Sequence, residues 1–89
     1  MVSKTVAIKI KFGLHARPAG ELAKLAQKYQ SDVKMKVADK TVNTKSIMGL
    51  LSAGVQCGAV AEFVCTGADE VQALSAITAA VEAGLGEEM

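Results

Sequence analysis

Tryptophan is absent from this 89-residue chain, and one tyrosine and two phenylalanines bring the aromatic share to only 3%. Phe12, Tyr29 and Phe63 are too few and too scattered to furnish the stacking platform that single-stranded RNA recognition uses. Charge points the same way. Ten basic against nine acidic residues leave +1 at pH 7, without the clustered basic excess that binds a phosphodiester backbone. Cysteine occurs only twice, as Cys57 and Cys65, a spacing that fits neither a metal pattern nor the disulfide framework of a small secreted protein. Both are read as reduced thiols of a cytoplasmic protein, Cys57 exposed in a glycine-flanked turn and Cys65 in the core. Long apolar runs are missing too. Lys4, Lys9 and Lys11 break up the N-terminal region, which argues against a secretory signal. The uncharged stretch 46–61 contains Gly49, Gly54, Gln56 and Gly58 and is too short to span a bilayer. With so few aromatics, alanine, valine and leucine must fill the core that a 51% hydrophobic chain of this length supports, and one domain over residues 1–89 is expected.

Proline and histidine occur once each, and they fall together in Gly13-Leu14-His15-Ala16-Arg17-Pro18-Ala19. Upstream, Val6, Ile8 and Ile10 alternate with Ala7, Lys9 and Lys11, the period of a half-buried strand. Downstream, Ala19, Leu22, Ala23 and Ala26 recur at helical spacing, and Pro18 fits only the first turn, where its missing N–H is not needed. His15 is therefore predicted to be the N-cap. There the outward N–H groups and the positive end of the helix dipole favour an anion, so a phosphate on the imidazole is stabilised. Attack on phosphorus uses the lone pair of a neutral ring nitrogen. Arg17 adds a permanent fork of donors for phosphoryl oxygens. His15 is thus a candidate phosphoryl acceptor with Arg17 beside it, and Ala16 and Pro18 are the candidate phosphate-stabilising neighbours. Arg17, Glu21, Lys24 and Lys28 share the outer face of this helix and form a mostly positive stripe suited to steering an acidic partner. No metal site or cofactor is expected.

A second segment, Lys45-Ser46-Ile47-Met48-Gly49-Leu50-Leu51, reads as a serine-capped short helix that is apolar nearly all round. At helical spacing Ile47, Leu50 and Leu51 cannot all share a face with Met48. Part of this surface, expected to include Ile47, Met48 and Leu51, is left for docking. A phosphate on Ser46 is electrostatically tolerated at the helix N-terminus while changing the surface charge by about −1.5 to −2.

The rest of the chain is compact, without repeats or linkers. Val33, Met35 and Val37 alternate with Lys34 and Lys36, and Ala38-Asp39 turns the chain into a short strand over residues 40–43. A further strand runs over about 59–66 with Ala61, Phe63 and Cys65 inward, and ends at Gly67. Asp69 with Gln72 reads as a capping box for a last helix whose inner stripe is Leu74, Ile77, Thr78 and Val81, ended near Gly84 and Gly86. The order βαββαβα predicts an α+β two-layer, open-faced sandwich, one antiparallel sheet covered on one face by helices.

Together the Gly-Leu-His-Ala-Arg-Pro-Ala and Lys-Ser-Ile-Met-Gly runs, about thirty residues apart, resemble HPr, the histidine-containing phosphocarrier family of the bacterial sugar phosphotransferase system. The resemblance implies sheet order 1-4-2-3 with three helices. It also implies that His15 takes a phosphoryl group at Nδ1 from phospho-enzyme I and passes it to a sugar-specific enzyme IIA, as a carrier rather than a stand-alone enzyme. The Ser46 segment resembles the Gram-positive type, which implies a regulatory phosphate placed by an HPr kinase/phosphorylase and a catabolite-control transcription factor as partner. Such a protein is expected to act as a cytoplasmic monomer without membrane insertion. Phe12 and Gly20 depart from the family pattern, since a small polar residue and an alanine or threonine are common there. The alternatives are a regulatory or nitrogen-related HPr paralogue acting through protein binding, and a nucleic-acid-binding module, which the charge and aromatic counts disfavour.

Overall fold

Phe63 lies at the centre of the molecule, with Met35 on one neighbouring strand and Lys4 on the other. The computed structural model describes residues 1–11 and 13–85; the expectations attached to Phe12 and Gly86 lie outside them. Its elements are β1 (Val2–Ala7), α1 (Ala16–Ala26), β2 (Asp32–Val37), β3 (Lys40–Asn43), α2 (Ile47–Ser52), β4 (Val60–Thr66) and α3 (Glu70–Glu82). The four strands form one antiparallel sheet in the order β1-β4-β2-β3. The βαββαβα arrangement and sheet order agree with the sequence reading.

Alternation explains which side the helices cover. Val6, Val33, Met35, Ala61, Phe63 and Cys65 point to one face and are buried. Ser3, Thr5, Lys36 and Thr66 occupy the other face and are exposed. Onto the apolar face α1 lays Ala19, Leu22, Ala23 and Ala26, and α3 lays Ala73, Ile77, Thr78 and Val81. The small Ala73 lets α3 come close to β1 and β4, and α1 packs against α2 and α3, so a core with Phe63 as its one buried aromatic among the described residues still closes.

Three readings need correction. The first strand lies earlier than the Val6–Ile10 alternation suggests and ends at Ala7. Ile8 and Ile10 remain buried beyond it, and the Ile8 amide donates to the Ala59 carbonyl at 2.8 Å, so the apolar period survives where the regular ladder stops. The capping box at Asp69 does not form. Asp69 occupies the N-cap, but its carboxylate turns outward from α3 and accepts the amides of Gln30 and Ser31, each at 2.9 Å, together with the Ser31 hydroxyl. A local cap loses to a contact that ties the α1–β2 turn to the start of α3. The inner stripe of α3 is centred on Ala73 rather than Leu74, which is only partly buried. Gly67 makes that tie possible, because a Cβ there would stand 2.7 Å from the Ser31 Cα.

Candidate functional site

The loop before α1 is fixed by backbone contacts before any side chain is considered. The Gly13 amide donates to the Ile10 carbonyl at 2.9 Å, the Leu14 amide to Val55 at 2.9 Å, and the His15 amide to Gly13 at 3.0 Å. Gly13 has φ +73°, and a Cβ on it would meet the Val55 carbonyl at 2.4 Å and the Gln56 Cα at 2.8 Å. Only glycine lets the 55–58 turn seat this closely. The buried Leu14 side chain then anchors the loop, and the next residue is delivered to the surface.

That residue is His15, the N-cap of α1, with extended backbone at φ −87° and ψ −169°. Its carbonyl accepts the Ala19 amide at 2.9 Å, the first bond of the helix. The imidazole is not spent on capping, since its side chain makes no cap hydrogen bond. It is half-buried, and the next two residues, Ala16 and Arg17, are exposed. The amides of Ala16 and Arg17 precede the first intrahelical bond, where the helix end favours an anion. Pro18 has no amide hydrogen; its ring is buried and holds the first turn. Gly20 faces open space, with nothing within 4 Å of a built Cβ, so its departure from the family pattern reflects no packing demand.

Ser46 caps α2 as the spacing predicts. Its hydroxyl accepts the Gly49 amide at 3.0 Å, and its carbonyl accepts the Leu50 amide at 3.0 Å. Leu50 is buried, whereas Ile47, Met48 and Leu51 are 45%, 75% and 36% exposed, which makes an apolar patch on a six-residue helix. Lys45 joins this segment to the other end of α1. Its ammonium donates to the Tyr29 carbonyl at 2.8 Å, and its own carbonyl accepts the Gln27 side-chain amide at 2.9 Å. Helices α1 and α2 pack together, so the elements opened by His15 and Ser46 adjoin. Lys24 and Lys28 are exposed on the outer face of α1.

Cys57 is exposed in the turn beside Gly13, and Cys65 is buried. Burial, helped by the charges of Glu70, Asp69 and Asp32, pushes the Cys65 thiol above its ordinary pKa, which leaves it a core residue rather than a nucleophile. Among the described residues no group of three or more His, Cys, Asp or Glu is placed to hold a metal ion, and no helix is long and apolar enough to cross a membrane. In the sequence, 54–58 reads only as the glycine-flanked turn that holds Cys57. Its contribution comes from the Val55 carbonyl and the Gln56 backbone, for which side-chain pattern carries no signal.

Residues 2–83 match the PTS-HPr family, described as the PTS HPr component phosphorylation site. The chain belongs to this family of phosphocarriers. It is 43% identical over 77 residues to the phosphocarrier protein HPr of Treponema pallidum, covering 86% of this chain and 88% of that one. It is 40% identical over 82 residues to the HPr-like protein Crh of Bacillus subtilis, covering 92% and 96%. A crystal structure of HPr-C-His from Thermoanaerobacter tengcongensis superposes with a TM-score of 0.95 at 42% identity over the whole of both chains. The HPr fold therefore carries the half-buried histidine, the arginine two residues on and the capped apolar helix beside them.

Proposed function

We propose that this HPr-family protein relays a phosphoryl group through His15, from phospho-enzyme I to a sugar-specific enzyme IIA. The observation that carries the reading is an imidazole placed at a helix N-terminus yet not engaged as its cap. Nδ1 attacks the phosphorus, an N–P bond forms as the bond to the enzyme I donor breaks, and the reverse exchange hands the group to enzyme IIA. Arg17 and the Ala16 amide meet the phosphoryl oxygens, and helix geometry adds the favourable end of the dipole. Pro18 acts by fixing the turn. Lys24 and Lys28 steer acidic partners, and the Ile47, Met48 and Leu51 patch supplies the apolar part of the contact. Ser46 is the regulatory site for an HPr kinase/phosphorylase. Its phosphate adds about −1.5 to −2 charge beside this surface and weakens encounter with enzyme I. A catabolite-control transcription factor is the partner expected for that form, in a cytoplasmic setting.

Likeness to Crh favours a second reading, a regulatory paralogue that works through Ser46 and protein binding. Incubation with labelled phosphoenolpyruvate and enzyme I separates the two. The carrier reading expects acid-labile label on His15, absent in His15→Ala, and much slower transfer in Arg17→Glu with stability changed by no more than about 0.5 kcal/mol, as is usual for a surface site. Label on serine alone, or none, gives the regulatory reading.

A further inference from the structure

Arg17, Lys24 and Lys28, already given the phosphoryl group and the steering of acidic partners, also form one wall of a groove whose floor none of the roles above uses. Its volume is about 500 Å³, and among the described residues that line it the one acid is Glu21. The floor is apolar, made by Leu25 of α1 with Ala80, Ala83 and Leu85 from the end of α3. Chain reversal builds that floor. Gly84, at φ +92°, donates to the Val81 carbonyl, and the Leu85 amide donates to Ala80 at 3.0 Å, which folds the buried Leu85 back over the last turn.

The groove lies on a different flank of α1 from α2. Leu25 in its floor and Gln27, which bonds the Lys45 carbonyl beside Ser46, are separated by roughly 200° around the helix. Along the axis, Arg17 and Lys28 are roughly 16 Å apart. Roughly five residues of extended chain cover that distance, with successive side chains pointing to opposite sides.

We propose that this groove is a second docking face, taking an extended partner segment that alternates acidic and apolar residues; this rests on the phosphocarrier reading above. The acids face the Arg17, Lys24 and Lys28 wall, and the apolar residues lie on Leu25, Ala80, Ala83 and Leu85. A segment seated here reaches Arg17, two residues from His15, without meeting Ser46. Partners of this kind bind phosphorylated and unphosphorylated Ser46 forms alike, whereas partners that use α2 do not.

The probe is a short peptide alternating glutamate and leucine, titrated into the full isotope-labelled chain and followed by amide shifts. Shifts centred on Leu25, Ala80, Ala83 and Leu85 are expected, along with about tenfold weaker binding in Lys24→Glu/Lys28→Glu and unchanged binding in Ser46→Asp. Ala83→Trp, at an exposed position with ordinary αR backbone, fills the groove and abolishes binding. If that variant fails to fold, the lysine pair carries the test. The proposal is overturned if a glutamate–serine peptide binds as well, if the shifts centre on Ile47 and Met48, or if charge reversal has no effect. It is also overturned if removal of residues 86–89 tightens binding about tenfold, which identifies the chain's own acidic segment as the occupant. Label on His15 is read separately, so loss of the groove and loss of the carrier reading are distinguishable.

Discussion

Asp69 shows how one residue can be found by sequence and misread in role. A serine, threonine or aspartate followed three residues later by glutamate or glutamine signals a helix start, and α3 does start there. Its carboxylate nevertheless serves Gln30 and Ser31, contacts 39 and 38 residues away that no local pattern records. The Ser31 hydroxyl bond first, then the Gln30 amide, holds the Asp69 pKa below the ordinary aspartate value. A depressed folded-state pKa gives stability that is complete above the unfolded value of about 3.9 and is lost as pH falls through the folded one. Asp69→Asn is therefore expected to melt below wild type at neutral pH, and the gap is expected to close on acidification below about pH 4. Thermal melts at pH 7, 4 and 2.5 check this; a gap that stays constant across the series means that the charge of Asp69 contributes nothing.

At the scale of elements, α2 shows what local chemistry can carry by itself. Six residues make a marginal helix, so its serine cap matters. Ser46→Ala removes the acceptor for the Gly49 amide and is expected to cost about 1 kcal/mol, whereas Ser46→Asp keeps an acceptor and adds a charge that the helix dipole favours. Urea denaturation is expected to rank wild type and Ser46→Asp together, above Ser46→Ala. Enzyme I-dependent phosphorylation at low salt is expected to rank Ser46→Ala above Ser46→Asp, with the difference shrinking at high salt. Equal rates at low salt leave Ser46 as a cap alone. The N-cap positions His15, Ser46 and Asp69, the two-residue β2–β3 connection and the inward Ala61, Phe63 and Cys65 are legible because each depends on near neighbours in sequence. The Val55–Leu14 bond and the Gly13 close approach are not, because they are backbone meetings between distant segments, nor is the tie from the Lys45 ammonium to the Tyr29 carbonyl, which joins residues sixteen apart. Ala73 takes the inner position that the sequence pattern assigns to Leu74 for a related reason. Hydrophobicity favours the larger side chain, while close helix–sheet packing selects the small one.

In the molecule as a whole, the site sits on the rim and stability comes from the sheet and the helices behind it. The order β1-β4-β2-β3 places β4 in the interior of the sheet, and pattern alone does not set it, since any antiparallel order buries the same stripes. Once it is known, Phe63 is seen to be flanked by Lys4 and Met35 and is fully buried. Among the described residues it is also the one aromatic in a buried core otherwise made of aliphatic residues, a methionine, alanines and a cysteine. Deleting it leaves a cavity that small neighbours cannot refill, and Phe63→Ala is expected to cost about 3–5 kcal/mol, a large share of the about 5–15 kcal/mol typical of a domain. His15→Ala, at a half-buried position whose side chain caps nothing, is expected to unfold close to the wild-type urea midpoint. The two variants therefore separate fold from transfer: one abolishes label with stability intact, and the other lowers stability while the surviving folded fraction still accepts label. A Phe63→Ala midpoint within the error of wild type shows that the core closes without its aromatic, and a His15→Ala midpoint far below wild type shows that the histidine holds the loop as well as the phosphate.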